Sequence, residues 1–215
     1  MAPSIEYILF DVDGTLYSSR WGLEQAVTGR VNDYLAAHLN MPREKAWAHR
    51  KEGVTSGGFG TTLEWLRSKK DFKDTEEYLA FIHPENEADA LPPDPALRSF
   101  LVSLSSRVPI GILTNSTMEH TQRIVNKLGV ADLFNVIFDI RKNEFTGKPD
   151  AGMYRRVLKE LGVSAPSCML VDDIPFYIEG FLAVGGMGVY YDENNSHPEF
   201  PGRRIQKLEE LTSFL

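Results

Sequence analysis

The stretch YILFDVDGTLYSS, residues 7–19, decides the fold, because an apolar run ends there in two acidic residues. Asp11 and Asp13 are one residue apart, so in an extended chain their side chains point the same way and their charges repel. This pattern predicts a β-strand over residues 5–10 with both carboxylates at its carboxyl end. The repulsion indicates that a cation belongs beside the pair.

The composition limits the class of protein to which the chain can belong. Its 215 residues suit one domain with a modest insertion, and no window approaches the ~20 apolar residues of a membrane span. The first residues show no secretory signal, and the single cysteine, Cys168, is typical of a reducing cytosol. The net charge of -7 argues against a nucleic acid polymer as partner. We therefore expect a cytoplasmic protein without a membrane or nucleic-acid partner, and the oligomeric state stays open.

Two regions of different pattern follow the first strand. Residues 17–92 carry apolar residues at three- and four-residue steps within a polar sequence, which predicts helices and no strand. The Pro-rich sequence LPPDP, residues 91–95, marks a boundary, after which predicted helices alternate with short apolar strands. The predicted strands are VPIGILT, NVIFDI, SCMLVDD and GVYYD. This alternation predicts an α/β fold with a parallel sheet covered by helices on both faces.

Polar residues collect where the predicted strands end. Thr114 and Asn115 end the second strand, Asp172 and Asp173 end the fourth, and Lys148 lies in the loop TGKPD. The carboxyl ends of parallel strands meet at one edge of the sheet, where ligands bind. Four carboxylates with one ammonium group would repel strongly, and hard oxygen ligands of this kind suit Mg²⁺. The sequence therefore predicts a magnesium site at this edge.

The same set of residues fits phosphoryl transfer. One carboxylate of the pair Asp11 and Asp13 can attack a phosphate while the other exchanges a proton with the leaving oxygen. Mg²⁺ and Lys148 would screen the repulsion between the attacking carboxylate and the phosphate. Thr114, Asn115 and the backbone N–H groups at the start of the following helix can hold the phosphoryl oxygens.

Four short motifs, DVDGTL, ILTNS, GKPD and LVDD, resemble in this order the motifs of the haloacid dehalogenase superfamily of phosphohydrolases. The resemblance implies a Rossmann-like core of parallel strands in the order 5-4-1-2-3, formed by residues 1–16 and 93–215. It also implies an all-helical cap, residues 17–92, inserted after the first motif. An acid at Asp13 favours phosphoryl transfer over dehalogenation, because a halide leaves without a proton.

The resemblance further implies a role for each motif residue. Asp11 would be the nucleophile that forms an aspartyl-phosphate intermediate, and Asp13 would be the acid and then the base. Asp11, the backbone carbonyl of Asp13 and Asp173 would hold Mg²⁺ with Asp172 beside them, and Asp173 is the favoured direct ligand of the last two. Thr114, Asn115 and Lys148 complete the candidate catalytic set. The candidate substrate-binding residues are Gly14, Thr15, Ser116, Gly58, Phe59, Gly60 and Thr61.

A narrower likeness lies in the cap. GFGTTLEWL, EYLAFIH and LPPDPALRSFLVSL are similar to sequences of the pyrimidine 5′-nucleotidase branch, although Phe59 stands where tyrosine is usual and Tyr177 where asparagine or aspartate is usual. This likeness implies nucleoside 5′-monophosphates, preferably pyrimidine ones, as substrates. The alternatives are a sugar-phosphate phosphatase or phosphomutase of the same superfamily, and a non-catalytic regulatory homologue.

Isolated polar residues receive a plainer interpretation. His120 is expected on the surface of a helix, since the five histidines lack ligand spacing. Tyr17, Arg20 and Arg50 could meet substrate, but single polar residues in a helical region are more often solvated. Cys168, in the middle of a predicted strand, is expected to be buried and inert.

Overall fold

The computed structural model describes residues 4–70 and 72–215, and its centre is a sheet of six parallel strands. The strands are β1 (Tyr7–Phe10), β2 (Ile110–Leu113), β3 (Ile137–Phe138), β4 (Cys168–Asp172), β5 (Met187–Tyr191) and β6 (Arg203–Ile205). They lie in the order β3-β2-β1-β4-β5-β6. The predicted α/β fold and its five-strand order are confirmed. β6 extends the sheet by a strand that the sequence did not predict, because it has only three residues and two are arginines.

Four helices cover the two faces of the sheet. They are α5 (Pro95–Ser105), α6 (Met118–Leu128), α7 (Ala151–Leu161) and α8 (Pro175–Ala183). Successive side chains of a strand point to opposite faces, so Ile8 and Phe10 pack with α5 and α6, while Tyr7 and Leu9 pack with α7 and α8. All four residues of β1 are buried, which explains why the strand is one continuous apolar run.

The residues between β1 and α5 form a helical unit. Its helices are α1 (Leu23–His38), α2 (Arg43–Gly57), α3 (Thr62–Arg67) and α4 (Thr75–Ile82). They enclose a hydrophobic cluster of their own around Leu35, Trp65 and Leu66. α2 continues through Gly57, so only residues 58–61 form the loop between α2 and α3. Among the residues that the structure describes, no helix is both long and apolar enough to cross a bilayer.

The start of α6 helps to form the site. Ser116 and Glu119 have the spacing of a capping box, but the residue that caps α6 is Thr117, whose side chain accepts a hydrogen bond from the His120 N–H at 3.2 Å. The hydroxyl of Ser116 is therefore free of the helix. It donates instead to Oδ2 of Asp13, at 2.9 Å.

Candidate active site

The carboxyl ends of β1 and β4 place three carboxylates around one lysine. Asp11 follows β1, Asp172 ends β4 and Asp173 comes next in the chain. The fully buried Lys148 donates from Nζ to Oδ1 of Asp11 at 2.7 Å and to Oδ2 of Asp172 at 2.6 Å. Each of the three carboxylates offers an oxygen within 4.8 Å of the others. The predicted convergence of these strand ends is therefore present.

The charges of this cluster do not balance. Burial raises the pKa of Asp11 to about 7 although Lys148 acts in the opposite direction. Burial, together with the charges of Asp172 and Asp11, raises the pKa of Asp173 to about 9. Burial alone would lower the pKa of Lys148, but Asp11 and Asp172 raise it above its ordinary value. Three carboxylates facing one ammonium group leave an excess of negative charge that a further cation would relieve.

Asp13 lies beside the cluster and is fixed by three hydrogen-bond donors. Its Oδ1 accepts from the Tyr17 hydroxyl and lies 2.8 Å from Nε2 of His120, while its Oδ2 accepts from Ser116. Burial alone would raise the pKa of Asp13, but the charge and hydrogen bond of His120 hold it well below its ordinary value. The carboxylate of Asp13 is therefore held in one orientation. Its hydrogen-bond partners differ from that of Asp11, which is Lys148.

His120 is fully buried, so its expected place on a helix surface is wrong. Its Nδ1 lies 2.9 Å from Oε1 of Glu87, on the side away from Asp13. Burial alone would lower the pKa of His120, but Asp13 and Glu87 raise it to about 10. Glu87 is also within ion-pair distance of Arg30 of the helical unit and Arg123 of α6, and it lies 3.1 Å from Nδ1 of His83, whose pKa burial lowers. A chain of buried charges thus runs from Asp13 through His120 to Glu87.

The sequence held a signal for His120 but none for Glu87. Thr117, His120, Ile124 and Leu128 follow one another at helical spacing, and this stripe faces the core. A periodicity argument applied to α6 places His120 on that stripe. Glu87 lies in a turn without any period, and only the packing of the chain brings it to His120.

A cavity of about 390 Å³ lies between the strand ends and the helical unit. On the sheet side it is lined by Asp13, Asn115, Ser116 and Tyr177. The helical unit contributes polar and apolar residues, which include Val27, Arg50, Gly60, Thr61, Thr62, Leu63 and Tyr78. A smaller adjoining cavity of about 180 Å³ contains Asp11, Asp13, Thr114, Asn115, Ser116, Lys148 and Asp173 among its lining residues. A small molecule in these cavities can therefore touch both the carboxylate cluster and the helical unit.

The structure distributes the predicted substrate-binding residues unequally. Gly60 and Thr61 line the cavity beside Asp13, whereas Gly58 and Phe59 line a different one. Thr15 is buried and lines a third cavity. The loop of residues 58–61 therefore brings only its second half, Gly60 and Thr61, to the cavity beside the carboxylates.

Gly14 forms the turn beside the metal-ligand candidates. Its φ of +72° favours glycine, and a Cβ placed there would lie 2.3 Å from Oδ2 of Asp173 and 3.0 Å from Oε1 of Glu24. A larger residue would therefore push against the carboxylates. Because Gly14 has no side chain, the backbone can pass close to the carboxylate of Asp173.

The loop that carries Lys148 is held from both sides. Asn115 accepts from the backbone N–H of Lys148 at 2.7 Å and donates to its carbonyl at 3.2 Å. From the helical unit, Glu64 accepts from the N–H groups of Gly147 and Gly60, each at 2.7 Å. Tyr177 donates to the carbonyl of Gly60 at 3.3 Å. The lysine is thus positioned by contacts with both the sheet and the helical unit.

A family model described as haloacid dehalogenase-like hydrolase matches residues 5–185 of the chain. The chain belongs to this family. Its curated relatives include Phosphate metabolism protein 8 of Saccharomyces cerevisiae, 25% identical over 85% of this chain, which spans 60% of the yeast protein. Another is a phosphoglycolate phosphatase of Rhodospirillum rubrum, 29% identical over 83% of this chain and 76% of that protein. A crystal structure of a HAD phosphatase from Thermococcus onnurineus shares the fold, with a TM-score of 0.65 and 19% identity over 98% of this chain and 97% of that one.

Membership confirms the predicted superfamily of phosphohydrolases and makes this chain a hydrolase acting on phosphoric monoesters. Hydrolases of this family that act on phosphate esters use a divalent metal, and the donor set of this member fits one. Both oxygens of Asp172 are already engaged, by Lys148 and by the Ile174 N–H at 2.9 Å. Among the described residues Asp173 has no hydrogen-bond partner, so its carboxylate is the most available of the three. Hard oxygen donors that carry excess negative charge could bind a Mg²⁺ ion.

For this haloacid dehalogenase-like hydrolase we predict a large stabilisation by Mg²⁺ that depends on Asp173. At a metal concentration one hundred times the Kd, the free energy of unfolding should increase by about 2.7 kcal/mol. Asp173→Asn should lose most of this increase, because it removes the available carboxylate. Asp132→Asn, a change at an exposed residue paired with Arg98, should keep it. Calorimetric unfolding with and without Mg²⁺ measures the difference, and equal stabilisation of both variants would contradict the assignment.

The buried charge chain of this hydrolase gives a second prediction. Glu87→Gln should lower the free energy of unfolding by about 2 kcal/mol, because the buried cations around it lose their charged acceptor. Glu76→Gln is the matched control, since Glu76 pairs with Arg141 at the surface, and it should cost less than about 1 kcal/mol. Urea unfolding of both variants gives the two values. Equal decreases in the free energy of unfolding would mean that the ion pairs of Glu87 contribute no more to stability than a surface ion pair.

Proposed function

We propose that this chain is a Mg²⁺-dependent phosphatase that transfers the phosphoryl group of small phosphomonoesters to Asp11 and then to water. The single observation that carries the proposal is the geometry at Asp11. Its Oδ1 is held by Lys148, and its other carboxylate oxygen has no hydrogen bond within the described residues. That second oxygen is free to attack a phosphorus atom in the adjoining cavity.

The two half-reactions follow from the positions of Asp11 and Asp13. In the first, the free oxygen of Asp11 forms a bond to phosphorus, the ester oxygen leaves, and Asp13 passes to that oxygen a proton from the protonated His120, whose Nε2 lies 2.8 Å from Oδ1 of Asp13. In the second, Asp13 takes a proton from water as the water oxygen attacks the same phosphorus. Inorganic phosphate then leaves and the Asp11 carboxylate is restored.

The surrounding residues prepare these steps. Lys148 offers positive charge beside Asp11, and the Thr114 hydroxyl and the Asn115 amide line the adjoining cavity where the phosphoryl oxygens would lie. When held by Asp11, the backbone carbonyl of Asp13 and Asp173, with Asp172 beside them, Mg²⁺ would supply the charge that screens the phosphate from the carboxylates. Tyr17, Ser116 and His120 keep the Asp13 carboxylate in one orientation through both steps.

The helical unit, residues 17–92, is proposed to be the cap, and residues 1–16 with 93–215 the catalytic core. The cap closes one side of the 390 Å³ cavity and would exclude bulk water from the bound ester. Gly60 and Thr61 are the members of its loop that would touch substrate. The expected cytoplasmic location, drawn from the single cysteine, belongs to the same proposal.

Two substrate classes have support. The cap sequences similar to pyrimidine 5′-nucleotidases support nucleoside 5′-monophosphates, preferably those of pyrimidines, and the cavity is of a size suited to a small ligand. The phosphoglycolate phosphatase among the relatives supports small phosphorylated acids and sugars instead. Both classes require the same chemistry at Asp11.

Phosphate release by the purified protein tests the proposal. The substrates are UMP, CMP, 2-phosphoglycolate, glucose 6-phosphate and p-nitrophenyl phosphate, each with Mg²⁺ and with EDTA. We expect release with Mg²⁺ and its near-complete loss in EDTA. Equal release in EDTA would overturn the metal dependence, and no release from any ester would favour a non-catalytic homologue. Conversion of β-glucose 1-phosphate to the 6-phosphate would favour a mutase.

A further inference from the structure

Among the described residues that the helical unit contributes to the 390 Å³ cavity, one is an arginine and none is a lysine. Arg50, on α2, lines the 390 Å³ cavity together with Thr62 and Tyr78. Its Nε donates to the Thr62 hydroxyl at 2.6 Å, and its guanidinium carbon lies 4.8 Å from the centre of the Trp47 ring. These contacts fix the plane of the guanidinium group. They leave its two terminal nitrogens without an acceptor within residues 4–70 and 72–215.

Arg50 differs in this respect from the other partly buried arginines that the structure describes. Each of those others lies within 4 Å of a carboxylate: Arg30, Arg98, Arg123, Arg141 and Arg204. No carboxylate of the described residues lies within that distance of Arg50. Burial lowers the pKa of Arg50, and the neighbours that act on it electrostatically are the hydroxyl groups of Tyr78 and Tyr177. A partly desolvated guanidinium without an anion is costly, and an anionic ligand would complete it.

The acidic residues of the same cavity do not occupy this position. Asp13 is held on the core side by Tyr17, Ser116 and His120. Glu24 has its Oε1 beside Gly14 and Asp173, also on the core side. The cavity therefore has a negative end, where a metal and the phosphoryl group belong, and a positive group on the helical wall.

We propose that Arg50, supported by Thr62, is a subsite for a second anionic group of the substrate, so that the preferred esters carry a carboxylate or another phosphate away from the scissile phosphate. This deepens the proposed function and rests on it, because the phosphoryl group must lie at Asp11 for the distal group to reach Arg50. The planar fork of a guanidinium matches two oxygens of a carboxylate or phosphate. The uracil of UMP offers uncharged carbonyl oxygens, which gain less from the same group.

Matched pairs of esters isolate the distal charge. In each pair a terminal carboxylate replaces a hydroxymethyl group: 2-phosphoglycolate and 2-hydroxyethyl phosphate, 3-phosphoglycerate and glycerol 3-phosphate, 6-phosphogluconate and glucitol 6-phosphate. The pairs increase in length, so the pair with the largest ratio of kcat/KM values reports the span from Asp11 to Arg50. Fructose 1,6-bisphosphate against fructose 6-phosphate tests a second phosphate as the anion. UMP, whose distal uracil carries no charge, is the reference.

We expect at least one acid to exceed its alcohol by about tenfold or more in kcat/KM, the size of an effect from hydrogen bonds to a charged group. Arg50→Met should remove this preference and bring the ratio to one or below, because the remaining charges of the site repel a second anion. Lys51→Met is the matched control, since Lys51 is the exposed next residue of α2 and its loss changes the net charge equally. The control should keep the ratio of the wild-type protein.

Binding separates this proposal from the proposed function. The Asp11→Asn protein with Mg²⁺ should bind the acid of the best pair about tenfold more tightly than the alcohol by calorimetry, and Arg50→Met in that background should lose the difference. Hydrolysis with a ratio near one in every pair would overturn the anionic subsite and leave the phosphatase intact. Preferential binding of acids without any hydrolysis would support the subsite and overturn the phosphatase. Equal effects of Arg50→Met and Lys51→Met would also overturn the subsite.

Discussion

Replacing Asp11 by asparagine should reduce the turnover of every phosphomonoester by on the order of 10⁴-fold or more, because the amide cannot replace the attacking carboxylate. The fold should survive. Asp11 belongs to a cluster of three carboxylates around Lys148, and burial together with mutual repulsion already disfavours its charge. In the absence of metal the variant should therefore unfold at a temperature equal to or above that of the wild-type protein. The stabilisation by Mg²⁺ should be smaller, because one ligand is lost.

The combination of these results is what identifies Asp11. Asp89→Asn, at an exposed residue paired with Lys127, is the control and should keep both turnover and the response to Mg²⁺. Steady-state kinetics with the best ester of the panel and thermal unfolding with and without Mg²⁺ provide the measurements. An Asp11→Asn protein that is folded and still active within tenfold of the wild type would exclude Asp11 as nucleophile.

Replacing Lys148 by methionine should lower the free energy of unfolding by about 3–5 kcal/mol, because Asp11 and Asp172 lose the cation that pairs with both. Turnover should fall as well, since no other ammonium or guanidinium group lies within 4 Å of Asp11 in the described residues. Lys127→Met removes a lysine whose pair with Asp89 is exposed and should cost less than about 1 kcal/mol. Urea unfolding at constant ionic strength compares the two variants.

The cost of Lys148→Met should depend on pH in a defined direction. In the folded wild-type protein the pKa of Asp11 is raised to about 7 and that of Asp173 to about 9. Their protonation therefore contributes stability that is present below the unfolded pKa of about 4 and is lost as pH rises through these values. Without Lys148 the carboxylates would hold their protons more tightly, and ionising them at high pH would cost more. The decrease in the free energy of unfolding caused by Lys148→Met should therefore be larger at pH 9 than at pH 5. Mg²⁺ should reduce it at the higher pH. An equal loss at both pH values without metal would contradict this electrostatic explanation.

The sequence was sufficient for the part of the site that follows from strand topology. Asp11 and Asp172 are far apart in the chain, yet the neighbouring parallel strands β1 and β4 end at one edge of the sheet, and the loop after β3 carries Lys148 to the same edge. The apolar runs of β1 and β4 marked those strands, because a strand buried on both faces is continuously apolar. The convergence of these groups could therefore be predicted without knowing any side-chain contact.

The environment of Asp13 could not be predicted in the same way. His120 and Glu87 meet only because a turn after α4 packs against α6, and the turn sequence around Glu87 has no period that indicates burial. The sequence also does not decide which residue caps α6, since serine and threonine are both good caps: Thr117 caps the helix, and Ser116 bonds to Asp13. Arg50 was interpreted as solvated, because a sequence does not reveal that an arginine lacks a carboxylate partner.

The transfer of a phosphoryl group to Asp11 is the central claim, and acid quenching during turnover tests it most directly. The wild-type protein is mixed with Mg²⁺ and a phosphomonoester radiolabelled in its phosphate, stopped in acid on the millisecond scale and digested. We predict label on the peptide that contains Asp11, released by hydroxylamine as expected of an acyl phosphate, and no label on the Asp11→Asn protein. Rapid phosphate release with no protein-bound label, or equal label on both proteins, would contradict the account.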